Sequence, residues 1–351
     1  MNRSILLLAS VLVAGNAGAQ ALQTTTETAH TATTATGTAS TPTTTAQAPT
    51  TSPQATFRSN VDLVALNVVV TDSDQKYVSG LRPSDFAVFE DGVQQDVSFF
   101  GASGVPLDLA ILLDTSASMT GKMQLVQQAA IGFLKTLRAD DRAIIVDIKD
   151  ATKIMYPLGG DLEAAKQAIL STSPRGGTAL YNGAYLTLKE MVKERRGNSE
   201  VRRQALVVLS DGDDTASLVS YDDLMDLAKQ SGIAIYTITM RSKYLVSQAA
   251  SRGHSYFSQS EFGMKALAQE TGARSFFPTE LGELSGVYAA IAEELATQYA
   301  IGYASKNPRM DGSYRRVIVQ IADKPGVRTR TRAGYTAPRV QRTAAVVPAT
   351  H

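Results

Sequence analysis

Three short segments carry the side chains best suited to chemistry. Asp114-Thr115-Ser116-Ala117-Ser118 places one carboxylate and two hydroxyls on the same side of a turn. Gly176-Gly177-Thr178 adds a third hydroxyl after a glycine pair, and Ser210-Asp211-Gly212-Asp213-Asp214 adds a second carboxylate. Each segment alone has a plain reading as a helix cap, a turn or a solvated acidic loop. Together, Asp114, Ser116, Ser118, Thr178 and Asp211 form a set of hard oxygen donors. Such a set suits Mg²⁺, with Mn²⁺ or Ca²⁺ as alternatives, and gives little advantage to zinc or copper. Because several donors are neutral hydroxyls, an ion held there keeps much of its charge. It therefore favours an incoming carboxylate wherever a water is exchangeable. An EF-hand reading of Asp211–Asp214 fails, since Gly212 is misplaced and Tyr221 and Asp222 stand where the closing Glu belongs.

The elements around these segments must bring them together. Leu107 to Leu113 is an apolar run ending at Asp114, and Ala205 to Leu209 is another ending at Ser210-Asp211. Lys122 to Arg138 carries Val126, Ala129, Ala130, Phe133, Leu134 and Leu137 at helical spacing. Ala143 to Ile148 reads as a strand, with Lys153 to Pro157 pairing beside it. Helices are expected over Asp161–Leu170, Ala179–Glu194, Tyr221–Gln230 (stopped by Gly232), Glu261–Thr271 and Leu281–Thr297. Strands are expected over Ile233–Met240 and Ser275–Phe277. Continuous apolar strands alternating with amphipathic helices indicate a doubly wound, mostly parallel α/β sheet covered on both faces. Ligands bind such sheets at the carboxyl ends of strands, and each of the three polar segments falls at a strand end or a helix start.

The flanks read differently. Val61, Leu63, Ala65 and Asn67 begin an alternation running into Val68-Val69-Val70, and Phe86–Glu90, Val93 and Val97–Phe100 follow. Asp91-Gly92 between two such runs predicts a tight hairpin. Strands recur over Tyr299–Tyr303, Arg315–Ile321 and Val327–Ala333. Pairing the two ends of the chain into one small β-sandwich, with the α/β domain inserted, buries edges that separate pieces would leave open. Arg328, Arg330 and Arg332 alternate along one strand, which reads as a solvated edge, with an anion-binding stripe as the sharper alternative.

The totals exclude several classes of function. The 351 residues hold 34 Lys+Arg against 33 Asp+Glu, a balance that speaks against a nucleic-acid partner. The absence of Cys rules out disulfides, zinc–thiolate sites and Cys nucleophiles, and only three His remain: His30, His254 and His351. Arg3, the apolar run Ile5–Ala14 and Ala17-Gly18-Ala19 read as a secretory signal peptide over 1–19, so a secreted or periplasmic protein is expected. No later stretch approaches transmembrane length. Residues 20–57 are rich in Thr, Ala and Pro and read as a disordered linker. The remaining expected organisation is an N-terminal β module over 58–104, the α/β domain over 105–298, C-terminal strands completing the module over 299–338, and a disordered tail over 339–351.

Asp114-x-Ser116-x-Ser118, Thr178 after a glycine pair and Asp211 in a Ser-Asp-Gly turn resemble the metal-ion-dependent adhesion site of von Willebrand factor type A domains. The resemblance spans about Leu107 to Thr297, and the flanking β segments resemble a secreted bacterial group of such proteins. It implies a Rossmann-like domain in which Ser116, Ser118 and Thr178 bind the ion through hydroxyls. Asp114 and Asp211 would bind directly or through water. It also implies a non-enzymatic binding module whose protein ligand presents an Asp or Glu carboxylate, with the last helix able to shift on occupancy. Two other classes are a metal-assisted hydrolase, with His254 or Asp213 as base, and a structural scaffold. The polar stretch from Arg241 to Ser260 reads as a long loop that, with Tyr181, rims the site.

Overall fold

The computed structural model describes residues 63–339 except 103, 198, 199, 212, 253–257 and 323. The expected signal peptide, the linker, Val61 and His254 lie outside the described residues. The chain enters through β1 (Leu63–Thr71), β2 (Phe86–Glu90), β3 (Val93–Gln95) and β4 (Val97–Gly101). Between β2 and β3, Asp91 and Gly92 both adopt positive φ, +47° and +83°, so this is the tight hairpin their types predict.

The middle of the chain is the α/β domain. It runs β5 (Leu107–Asp114), α1 (Met123–Leu134), β6 (Arg142–Ile148), β7 (Thr152–Gly159), α2 (Leu162–Leu170), α3 (Leu180–Gly197) and β8 (Arg203–Ser210). It continues with α4 (Tyr221–Ser231), β9 (Ala234–Thr239), α5 (Lys243–Ser251), α6 (Gln259–Glu270), β10 (Ser275–Phe276) and α7 (Leu284–Thr297). The sheet order is β10-β9-β8-β5-β6-β7, parallel throughout except for the edge strand β7. Every residue of β5, β8 and β9 is buried, as expected of strands covered on both faces.

Alternate residues of β5 serve opposite faces of the sheet. Leu109, Ile111 and Leu113 pack with Phe133 of α1, Ile169 of α2 and Tyr288 of α7. Ala110 and Leu112 pack with Leu188 of α3, Leu224 of α4 and Leu267 of α6. Two apolar layers thus clamp the central strands and fix where β5 and β8 end.

The chain closes with β11 (Tyr299–Ala304), β12 (Tyr314–Ile321), β13 (Arg328–Arg330) and β14 (Gly334–Thr336). These strands interleave with the first four in two sheets ordered β13-β1-β11-β4 and β14-β12-β2-β3. Val68, Phe86, Tyr299, Tyr303 and Val319 fill the core between them.

Two expectations of the sequence are corrected here. The stretch expected to be a loop from Arg241 to Ser260 contains α5, a helix with no fully buried residue and so without the periodic apolar face that would announce it. The three arginines expected on a solvated edge have different fates. Arg328 is exposed, Arg330 pairs with Glu294 of α7 at 2.6 Å, and Arg332 lies past the end of β13 with its Nε enclosed.

Candidate metal centre

The site begins where β5 stops. Asp114 is fully buried, and its carboxylate is committed on both oxygens. Oδ1 accepts the Ser116 amide at 2.9 Å, and Oδ2 accepts the Ser210 hydroxyl at 2.6 Å from the end of neighbouring β8. Burial pushes the Asp114 carboxyl above its ordinary range, and the hydrogen bonds from Ser210 and Ser116 oppose that shift. Asp114 therefore shapes the turn that follows it.

That turn is a single 3-10 turn, Ala117–Met119, which sets two hydroxyls side by side. Ser116 Oγ and Ser118 Oγ lie 2.9 Å apart, and Ser118 donates to Asp211 Oδ1 at 2.7 Å. The other Asp211 oxygen, Oδ2, is held by the Lys122 ammonium at the entrance to α1. Beneath the turn, Thr115 donates its hydroxyl to Asp147, which also pairs with Lys149 at 2.8 Å. The Thr115 amide bonds the Ile148 carbonyl at 2.8 Å, which secures the turn to the end of β6.

The Gly176-Gly177-Thr178 loop abuts this turn through its backbone, with the Ala117 amide bonding the Gly176 carbonyl at 3.0 Å. Gly176 has φ +71°, and a Cβ there would collide with the Asp150 carboxylate, so both conformation and space require glycine. Thr178 is 5% exposed, and its carbonyl accepts the Thr215 and Ala216 amides at 2.9 and 3.1 Å. Asp214 Oδ1 accepts the Tyr181 amide at 3.2 Å and the Ser217 hydroxyl at 2.6 Å, tying the acidic loop to the start of α3. Asp214 thus has a fixed structural task.

Four of the five candidate ligands therefore join in one hydrogen-bonded group: Asp114, Ser116, Ser118 and Asp211. Thr178 is on the adjoining loop, and among the described residues its hydroxyl makes no hydrogen bond to the other four. Ser116 is 2% exposed, whereas Ser118 is exposed, so the group opens on the Ser118 side. A recess of about 130 Å³ adjoins Asp211 and is lined also by Asp213, Arg241, Leu245, Ser258 and Glu261. Arg241, Leu245 and Ser258, from the stretch expected to rim the site, are therefore beside it.

Among the described residues, no three or more His, Cys, Asp and Glu gather to hold a metal. The donor set is instead two carboxylates with hydroxyls, the chemistry that fits a hard, oxygen-seeking divalent ion. Lys122 was not anticipated. Its signal in the sequence was a cation at the start of a helix, where the macrodipole disfavours one unless a carboxylate is near.

Residues 108–287 match the family model of the von Willebrand factor type A domain. The chain is 31% identical over 112 residues to an uncharacterised protein of Synechocystis sp., covering 31% of this chain and 26% of that one. It is 23% identical over 231 residues to an uncharacterised protein of Borreliella burgdorferi, covering 62% of each. The chain thus spans less than two thirds of the curated relatives it matches. A solved von Willebrand factor type A structure from Catenulispora acidiphila superposes with a TM-score of 0.43 at 12% identity, over 80% of this chain and 76% of that one.

Proposed function

The chain belongs to the von Willebrand factor type A domain family, and on that premise we propose that it is a Mg²⁺-dependent protein-binding module acting outside the cytoplasm. Domains of this family are generally metal-dependent adhesion or protein-interaction modules. The observation that carries the reading is the contact series from Ser116 Oγ through Ser118 Oγ to Asp211 Oδ1, with Asp114 fixing the Ser116 amide from below.

Ser116, Ser118 and Thr178 would hold the ion through their hydroxyls, with Asp114 and Asp211 binding directly or through water. When bound, the ion supplies positive charge and an exchangeable position for an Asp or Glu carboxylate of the partner protein. The chain's own part is positional. Asp114 and Ser210 hold the first turn, Asp150 holds the glycine pair, and Asp214 holds the acidic loop. The signal-peptide pattern over 1–19 supports action in the periplasm or beyond the cell.

The test is capture of partners from native cell-surface extract on the immobilised protein, in MgCl₂ and in EDTA, with Ser116→Ala/Ser118→Ala as control. Partners retained only with Mg²⁺ and lost in the double variant support the reading. Equal capture by the variant would leave a scaffold whose metal site is dispensable.

A further inference from the structure

A cavity of about 490 Å³ opens at the seam between the sandwich and the α/β domain, and none of the five candidate metal ligands lines it. A volume of this size accommodates a small organic ligand. Its apolar walls include Leu63 of β1, Met310 of the β11–β12 loop and Tyr335 of β14. Its polar walls include four arginines: Arg195 near the end of α3, Arg309 in the β11–β12 loop, Arg315 of β12, and Arg332.

Arg315 is paired with Glu90, but among the described residues no carboxylate lies within ion-pair distance of the other three guanidiniums, Arg195, Arg309 and Arg332. Arg332 Nε is buried and has no hydrogen-bond partner. Burial holds the Arg332 guanidinium down to about 10, with the neighbouring Arg195 charge acting in the same direction. Burial also lowers Arg195, which gives one hydrogen bond, 2.8 Å long, to the Ser231 carbonyl.

Two bland accounts fall short. The nearby acid, Glu90, is already engaged by Arg315 at 3.2 Å and by the hydroxyls of Tyr303 and Tyr335 at 2.9 and 2.8 Å. The carbonyl end of α4, at Ser231 and Gly232, offsets only about half a unit charge against two guanidiniums. An enclosed guanidinium nitrogen without a partner is costly, so Arg332, with the more exposed Arg195 charge beside it, marks a place where charge is to be supplied from outside.

We propose that the cavity binds a small organic anion, a carboxylate or phosphate head on an apolar body, with Arg195 and Arg332 holding the head. Leu63, Met310 and Tyr335 receive the body, and Arg309, exposed in its loop, guides entry by charge. This site is independent of the metal centre and of the function proposed for it.

The experiment is isothermal titration and thermal melting of the full chain at low ionic strength with phenylacetate, phenyl phosphate, inorganic phosphate and benzyl alcohol. Phenylacetate or phenyl phosphate should bind and raise the melting temperature, and the tighter of the two identifies the head group. Inorganic phosphate, lacking the body, should bind at least about tenfold more weakly, and neutral benzyl alcohol should give no shift. Arg195→Gln and Arg332→Gln should each weaken the organic anion about tenfold or more, while Ser116→Ala/Ser118→Ala leaves it unchanged. In anion-free buffer Arg332→Gln should melt no lower than the native protein, because it removes an uncompensated charge. Absence of binding by both organic anions, undiminished binding in both arginine variants, or benzyl alcohol binding as tightly would overturn the proposal. A large loss of stability in anion-free Arg332→Gln would also overturn it, since the fold itself would then satisfy the guanidinium.

Discussion

Arg330 of β13 meets Glu294 of α7 at 2.6 Å, so the sandwich and the last helix of the α/β domain share an ion pair. The Glu294 side chain is only 1% exposed and also accepts the Tyr236 hydroxyl of β9 at 2.7 Å and the Tyr77 hydroxyl of the β1–β2 segment at 3.3 Å. Glu294→Ala leaves these donors without their acceptor and is expected to cost about 3 kcal/mol in urea denaturation. A loss under about 0.5 kcal/mol, typical of a surface substitution, would show that water replaces the carboxylate freely.

The same pair offers a route from metal occupancy to the sandwich. Amide exchange in α7 and β13 is expected to slow when MgCl₂ is added, and Glu294→Gln should confine the effect to the α/β domain. Identical exchange of α7 with and without Mg²⁺ would sink this coupling.

Mg²⁺ should stabilise the native chain by about 2.7 kcal/mol at a hundredfold excess over its dissociation constant. Asp114→Ala should abolish that increment, because Asp114 holds the Ser116 amide and, through Ser210, the end of β8. The quantity to compare is the change on adding Mg²⁺, since removing a buried carboxylate alters the apo protein as well. An unchanged increment in the variant would remove Asp114 from the metal centre.

Lys122 neutralises the Asp211 oxygen that Ser118 does not use. Lys122→Gln is expected to tighten Mg²⁺ binding at least about tenfold, since nearby like charges at an effective dielectric of about 20 repel by a few kcal/mol. Calorimetry against MgCl₂ measures this directly. Weaker binding in the variant would mean that Lys122 orients Asp211 for the ion.

Alkaline pH should weaken the fold through its tyrosines. The Tyr221 hydroxyl is pushed up to about 12, chiefly by burial and then by the charge of Tyr181, and it donates to the Gly263 carbonyl at 2.9 Å. The folded state holds this proton more tightly than the unfolded chain, so its stabilisation is complete below pH 10 and lost between pH 10 and about 12. Tyr221→Phe is expected to cost about 1 kcal/mol at neutral pH, from the lost hydrogen bond, with the difference narrowing across that window. A constant difference from pH 9 to 12 would contradict this assignment.

Much of this architecture was legible in local sequence. Leu109–Leu113 and Ala205–Leu209 are continuous apolar runs followed by polar residues, which announces a doubly covered strand and a loop at its carboxyl end. Asp91-Gly92 announced its hairpin because few other residue pairs accept positive φ in succession. The helix α5 was missed because none of its residues is fully buried, so no apolar period marked it. The task of Asp214 is not legible in the sequence, because its hold on the Tyr181 amide depends on where α3 begins relative to the acidic loop.

Residue type and spacing alone determined the kind of chemistry available: oxygen donors, no thiols, and polar segments at the ends of buried strands. Those properties are local, because hydrophobic period and donor type are carried by neighbouring residues. The tertiary structure decided which charges meet. It brought Lys122 to Asp211 across 89 positions and Arg330 to Glu294 across a domain boundary. It also left Arg195 and Arg332 together without a carboxylate. An alternating row of arginines reads the same whether solvated, paired or enclosed, and only packing against α4, α7 and β14 separates Arg328, Arg330 and Arg332. Electrostatic partnership acts through space and depends on burial, so it follows the fold and not the order of residues along the chain.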